Sequence, residues 1–195
     1  EPPGERLHGT DHIGNIRIIV AHLLKSGPVL RLTFLALTVW SLTTFYAVWL
    51  LQKLWQEQGV SLANFGYLWA IYMLVSAAAG RFALGAERRF GATAMLAFAG
   101  LLPVVGYLGL ATFGVAGGMV AALTFFIARG FGLVVLRDAF NRRLPGQFRA
   151  TANSLASFGF RAAFALTGPF VGWALDLWGM QATLLMLAIV AVVIF

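Results

Sequence analysis

Residues 141–161 read NRRLPGQFRATANSLASFGFR. The stretch opens on Arg142 and Arg143, breaks at Pro145-Gly146, turns apolar and small, and then sets Arg161 inside the apolar part. Pro followed by Gly marks a turn. The apolar run beyond it, from about 150 to 174, is long enough to cross a hydrocarbon core about 30 Å thick. A cation carried that deep is costly and normally faces a cavity or a partner. The stretch therefore predicts a polytopic helical membrane protein and poses the question of what Arg161 meets.

The rest of the chain agrees. Hydrophobic residues make up 60% of the 195 residues and charged residues 11%, against about 45–50% and about 25% in a soluble globular domain. So few ionic groups do not cover a soluble surface of this size. The net charge of +7 would suggest nucleic acid in a soluble protein. Here the cations sit in short segments between apolar runs, so the expected partner is the lipid bilayer and no nucleic acid is expected. There is no cysteine, which excludes disulfides, thiolate metal sites and a cysteine nucleophile. His8, His12 and His22 fall in the N-terminal segment, where Gly9 and the polar context argue against a helix presenting the first two together, so no metal is expected. No Walker loop, Rossmann fingerprint or Ser-His-Asp set is present. No cofactor and no enzymatic activity are expected, and an intramembrane enzyme is disfavoured because no paired acid or nucleophile–base pair falls within the apolar runs.

Residues 1–27 read as a polar linker ending in a short amphipathic helix over 14–27, with Ile16, Ile19, Val20, Leu23 and Leu24 at helical spacing. Six spans follow, at about 28–52, 61–82, 92–112, 115–137, 150–174 and 180–195. Pro28 suits a first-turn position, and Ser61 is a candidate N-cap after a turn at Gly59. The small residues of VSAAAG (75–80) permit close helix contact. The last span is shorter than the roughly 20 residues expected, and both ends read as those of a piece of a longer protein. The loops on one side carry Arg6, Arg17, Lys25 and Arg31, then Arg81, Arg88 and Arg89, then Arg137, Arg142, Arg143 and Arg149; the other side carries Lys53 alone. The positive-inside rule makes the basic side, with the N-terminal linker, cytoplasmic. Trp49, Trp55, Trp69, Trp173 and Trp178 then fall near the outer ends of spans. The expected location is a plasma membrane, of the bacterial inner-membrane kind.

GRFALGAERRFG (80–91) after the second span is echoed by GPFVGWALDLWG (168–179) after the fifth. Each is a Gly-containing helix exit with an acid (Glu87, Asp176) and a Gly that starts the next helix (Gly91, Gly179). The two copies lie on opposite sides of the membrane, as in a 3+3 inverted repeat, a frequent transporter architecture.

These residues resemble the C-terminal six-helix half of a major facilitator superfamily transporter, over nearly the whole chain. EPP followed by basic residues resembles the cytoplasmic linker between the family's halves. NRRLPGQFRATANSLASF resembles the loop and start of the eleventh family helix, with Arg-Ala-Thr (149–151) and Ser154. GPFVGWALDLWG resembles that helix's exit. GRFALGAERRFG departs from the family signature, since Glu87-Arg88 stands where Asp-Arg would and Gly91 is delayed. The resemblance implies an all-α bundle working by alternating access against an N-terminal six-helix half of the same protein. It implies secondary active transport of a small organic solute, coupled to an ion gradient, protons first among the candidates, with efflux as one direction. Glu87, Arg88, Arg149 and Asp176 become candidate gating residues, because an acid at a helix end can latch to a loop arginine in one state; the competing reading of the loop arginines is orientation alone.

Two arginines interrupt the spans, Arg129 and Arg161. Arg161 lies about 16 Å beyond Ala150 along a helix, near the midplane. Helical spacing puts Ser154, Ser157 and Gly168 on its face, with Asn153 at the edge. Gly130 and Gly132 after Arg129 leave room for a neighbouring backbone or a ligand. The arginines either hold an anionic or polar solute group or pair with carboxylates of the N-terminal half. Thr44, Tyr46 and Tyr72, with Thr38, Ser41, Gln52 and Tyr67 behind them, are further pathway candidates, against the alternative that they bond their own helices or pack. A non-transporting six-helix module (receptor, anchor or assembly subunit) is the alternative function.

Overall fold

The computed structural model describes Val20, Ala21, Lys25 and residues 27–195. Apart from those first three residues, which are helical, the expected linker with its amphipathic helix and the three histidines lie outside the described residues. The described chain is all α, with five helices: α1 (Pro28–Glu57), α2 (Leu62–Phe90), α3 (Ala92–Thr112), α4 (Val115–Arg142) and α5 (Gly146–Ile194). Each is long and apolar enough to cross a membrane.

The boundaries follow from local chemistry. Pro28 stands in the first turn of α1, where its missing N–H costs nothing. Ser61 occupies the N-cap position of α2 but its side chain makes no capping hydrogen bond, a departure from the cap expected there. α3 matches its expected span, whereas α1, α2, α4 and the start of α5 run beyond theirs. Apolar length reads only the part meant for hydrocarbon. The charged turns beyond it stay helical until a Gly or Pro breaks them.

Six separate helices were expected and the described residues form five, because no loop divides the last two spans. The chain bends within α5 at a single residue, Gly179 (φ 76°, ψ 177°). Gly91, between α2 and α3, has nearly the same backbone (φ 85°, ψ 152°). Positive φ with extended ψ is open essentially to glycine alone. The two glycines of the sequence echo thus make the same turn in the same way.

α4 is the centre of the bundle and packs on α1, α2 and α3. Its glycines allow this. A Cβ on Gly130 would sit against the Ser76 carbonyl oxygen and only 2.8 Å from Ala79 Cβ and 2.9 Å from Gly80 N, all on α2. A Cβ on Gly132 would run into the Trp40 indole of α1. Gly106 of α3 likewise admits Phe125 of α4. The small residues of 75–80 therefore do make a close helix contact, as their sequence implies. An aromatic core fills the end around Trp55, Trp69, Tyr72 and Phe126. Trp55 is 1% exposed, so it is a core residue and not the interface anchor expected, because Phe65, Trp69 and Tyr72 of α2 close over it. Trp49, Trp173 and Trp178 remain exposed. Outside, Ile71, Leu74, Phe82, Phe170, Val192 and Val193 are exposed as well, an apolar surface that suits lipid rather than water.

Candidate functional site

α4 and the first arm of α5 run antiparallel, and both pack on α1 while barely touching each other. α5 is held on α1 by ring contacts of Phe45 with Phe160 and Phe164, at centroid distances of 5.4 and 4.8 Å, and by Gly159 seated against Thr38. The space left between α4 and α5 is a cleft with α1 as its floor. Its deep part is lined by Leu37, Ser41, Arg129, Leu133, Arg137, Asn153, Ala156, Ser157 and Phe160. Its wide part, of about 630 Å³, adds Asn141, Ser154, Phe158 and Arg161.

Helical periodicity builds both walls. Arg129, Leu133, Arg137 and Asn141 recur every fourth residue on α4, and Asn153, Ser157 and Arg161 do the same on α5, so each set forms one stripe. Arg129 lies midway along α4 and Arg161 midway along the first arm of α5. Arg137 is about 12 Å nearer the basic end, by 1.5 Å per residue. At that level the Asn153 amide donates to Asn141 Oδ1 at 2.7 Å and to the Arg149 carbonyl at 2.8 Å, tying the two walls together. The Arg161 guanidinium lies 6.0 Å from the Phe160 ring centroid, a cation–π distance.

Among the described residues the three cleft arginines have no carboxylate partner, because the four acids are placed elsewhere. Glu57 pairs with Lys53 at 3.2 Å. Asp138 pairs with Arg142, and Glu87 at the end of α2 attracts that same guanidinium. Asp176 lies well beyond Arg161 along α5, about 22 Å by helical rise. The Asp138–Arg142 pair lies within one helix, four residues apart, so among the described residues no ion pair of the helix-end latch kind joins two helices. Arg88 is exposed in the last turn of α2, and the Arg149 Nε–H donates to the Leu144 carbonyl at 3.3 Å across the α4–α5 turn.

Of the residues singled out from sequence, the structure brings together Ser41, Arg129, Asn153, Ser154, Ser157 and Arg161. It places Thr44, Tyr46 and Tyr72 elsewhere. Thr44 is buried and its hydroxyl donates to the Ser41 carbonyl. Tyr46 is buried among core aromatics and shares a hydrogen bond with Thr167. The Tyr72 hydroxyl donates to the Met119 carbonyl at 3.0 Å, and its ring stacks on Phe126. Tyr67 is exposed on α2. Gly130 and Gly132 serve α2 and Trp40 rather than the cleft. Two polar cleft residues escaped the sequence reading as pathway candidates, Arg137 and Asn141. The four-residue spacing from Arg129 was the signal that could have found them. Comparison of the chain with protein families, with curated proteins and with solved structures finds no match.

Proposed function

We propose that this chain is a six-helix bundle of a secondary active transporter that moves a small organic solute by alternating access. The carrying observation is the cleft: a polar, arginine-bearing depression at mid-depth of an otherwise apolar helical bundle. An intramembrane cation costs at least about 2.5–3.5 kcal/mol on insertion scales, and such charges mark solute or ion pathways. A purely anchoring module gains nothing from that cost.

In this reading the two arms of α5 are the fifth and sixth spans, and the shared backbone of Gly91 and Gly179 reflects two three-helix units of opposite direction. Repeats of this kind place the site at the bilayer midplane, where one bundle rocks against another. The working partner is a second six-helix bundle of the same protein, as the major facilitator resemblance implies. The basic ends face the cytoplasm of a plasma membrane by the positive-inside rule, and an ion gradient, protons first, supplies the driving force.

The test is solute uptake or efflux by the full-length protein in proteoliposomes, wild type against Arg129→Ala and Arg161→Ala. Loss of flux in either variant, with the protein still folded, is expected; unchanged flux in both removes these residues from the pathway. Orientation is read from single cysteine substitutions in a background cleared of any other cysteine; these 195 residues contain none. Arg143→Cys should react with a membrane-impermeant maleimide only after permeabilisation. Reaction in intact cells would reverse the topology.

A further inference from the structure

We infer that the cleft is a binding site for a small organic anion, with Arg137 as its pivotal residue. The inference rests on the transporter reading for its physiological role and on the cleft's own charge for its chemistry. Arg137 lines both the deep and the wide part. It shares the first with Arg129 and the second with Arg161. An acid group entering from the basic end meets Arg137 first. Arg137 thereby links the basic end to both mid-depth arginines.

The surroundings point the same way. No carboxylate among the described residues lines the cleft, so within them no acid offsets the charge of its three arginines, which favours an anion over a cation. Guanidinium groups present forked donors that match carboxylate, phosphate and sulfonate oxygens. The Asn153 amide already donates to Asn141 and the Arg149 carbonyl, which holds the basic end of the site in shape. Leu37, Leu133, Ala156 and Phe160 supply an apolar lining in the deep part. The deep part itself is small, about 50 Å³, but the wide part that opens from it, about 630 Å³ and lined by Phe158, has room for a carbon skeleton, so the ligand is an organic acid rather than a bare inorganic ion.

The test is binding to the purified full chain in phosphatidylcholine nanodiscs at neutral pH, measured by calorimetry. The probes are benzoate, benzamide and benzamidine, which share shape and differ in charge, together with phthalate and inorganic phosphate. Benzoate or phthalate should bind at least about tenfold tighter than benzamide and benzamidine. Inorganic phosphate should bind more weakly than phthalate. Arg137→Gln should weaken benzoate by about tenfold or more, the loss expected when a charge-assisted hydrogen bond is removed, and Arg137→Lys should recover part of it. Benzamide or benzamidine binding as tightly as benzoate on the wild-type protein overturns the proposal without recourse to any variant, and so does an Arg137→Gln protein that folds and binds normally. Loss of benzoate binding in phosphatidylglycerol nanodiscs would overturn a soluble ligand in favour of an anionic lipid headgroup. Anion binding without flux in proteoliposomes sinks the transporter and leaves this site. Flux of a cation, with no anion bound, does the reverse.

Discussion

Gly130→Ala and Gly80→Ala add the same methyl group to opposite sides of one helix contact, and they should behave differently. On Gly130 the new Cβ meets the Ser76 carbonyl oxygen and lies 2.8 Å from Ala79 Cβ and 2.9 Å from the Gly80 backbone nitrogen. Two of those three atoms are backbone, so no rotamer change relieves the clash and α2 must move away from α4. On Gly80 the nearest atoms are Val134 Cγ2 at 3.5 Å and the Gly130 carbonyl oxygen at 3.6 Å, which is ordinary contact. Overpacking of a close contact costs about 1–3 kcal/mol, offset by about 0.5–1 kcal/mol for replacing a helical Gly with Ala. Gly130→Ala should therefore lose up to about 2.5 kcal/mol, and Gly80→Ala should be neutral or slightly stabilised. The assay is reversible unfolding in mixed micelles of increasing SDS fraction, followed by tryptophan fluorescence. Equal destabilisation by both variants, or none by Gly130→Ala, would refute the claim that α4 seats on α2 through Gly130.

Three further perturbations test other joints of the bundle. Tyr107→Phe removes a fully buried hydroxyl that donates to the Thr43 carbonyl; the same unfolding assay should show a loss of about 0.5–1.5 kcal/mol. Asn141→Ala and Asn153→Ala should be non-additive, with a coupling of about 0.6 kcal/mol, the usual size of an interhelical hydrogen bond in a membrane bundle. A double-mutant cycle reads this directly, and additive losses would mean that the two amides do not bond. Gly179→Ala meets no atom within 4 Å, yet its φ of +76° is strained for any other residue, so a cost of about 1–3 kcal/mol is expected from backbone alone. Gly172→Ala, in open space at ordinary helical angles on the same helix, is the control and should cost nothing.

The bundle was legible in the sequence to the extent that hydropathy and glycine are local signals. Span positions follow from runs of apolar residues, and α3 matched residue for residue. The Gly91–Gly179 correspondence was visible because a position open only to glycine must be written as glycine. The α5 wall of the cleft was legible too, since polar residues on an apolar helix stand out by face. What one helix cannot state is which neighbour covers each face. Tyr72 and Tyr46 carry hydroxyls that suit a pathway, but α4 and α5 cover them, and their partners, Met119 and Thr167, are remote in sequence. Arg137 failed in the opposite way. Counting it with Arg142 and Arg143 as part of a basic loop hid that α4 continues past it to Arg142, which turns a loop charge into a wall residue.

The cleft is a consequence of unequal packing. Glycine contacts draw α2, α3 and α4 close, whereas the first arm of α5 is fastened to α1 by the rings of Phe45, Phe160 and Phe164. Those rings set its distance from the rest of the bundle and leave α4 and α5 apart. Charge then works against closure. Arg137 and Arg161 face one space from opposite walls. Their like charges repel across that space. The Asn141–Asn153 hydrogen bond that opposes them is worth about 0.6 kcal/mol. Empty, the walls are tied by that one hydrogen bond against the repulsion of their arginines. An anion bound between the two guanidiniums would attract both and so favour a closer approach of α5 to α4. An anion should then shorten the distance between spin labels placed outside the cleft lining, at positions 139 and 150, in a double electron–electron resonance measurement, and Arg137→Gln should remove the shift. An unchanged distance on benzoate binding would separate the site from any wall movement.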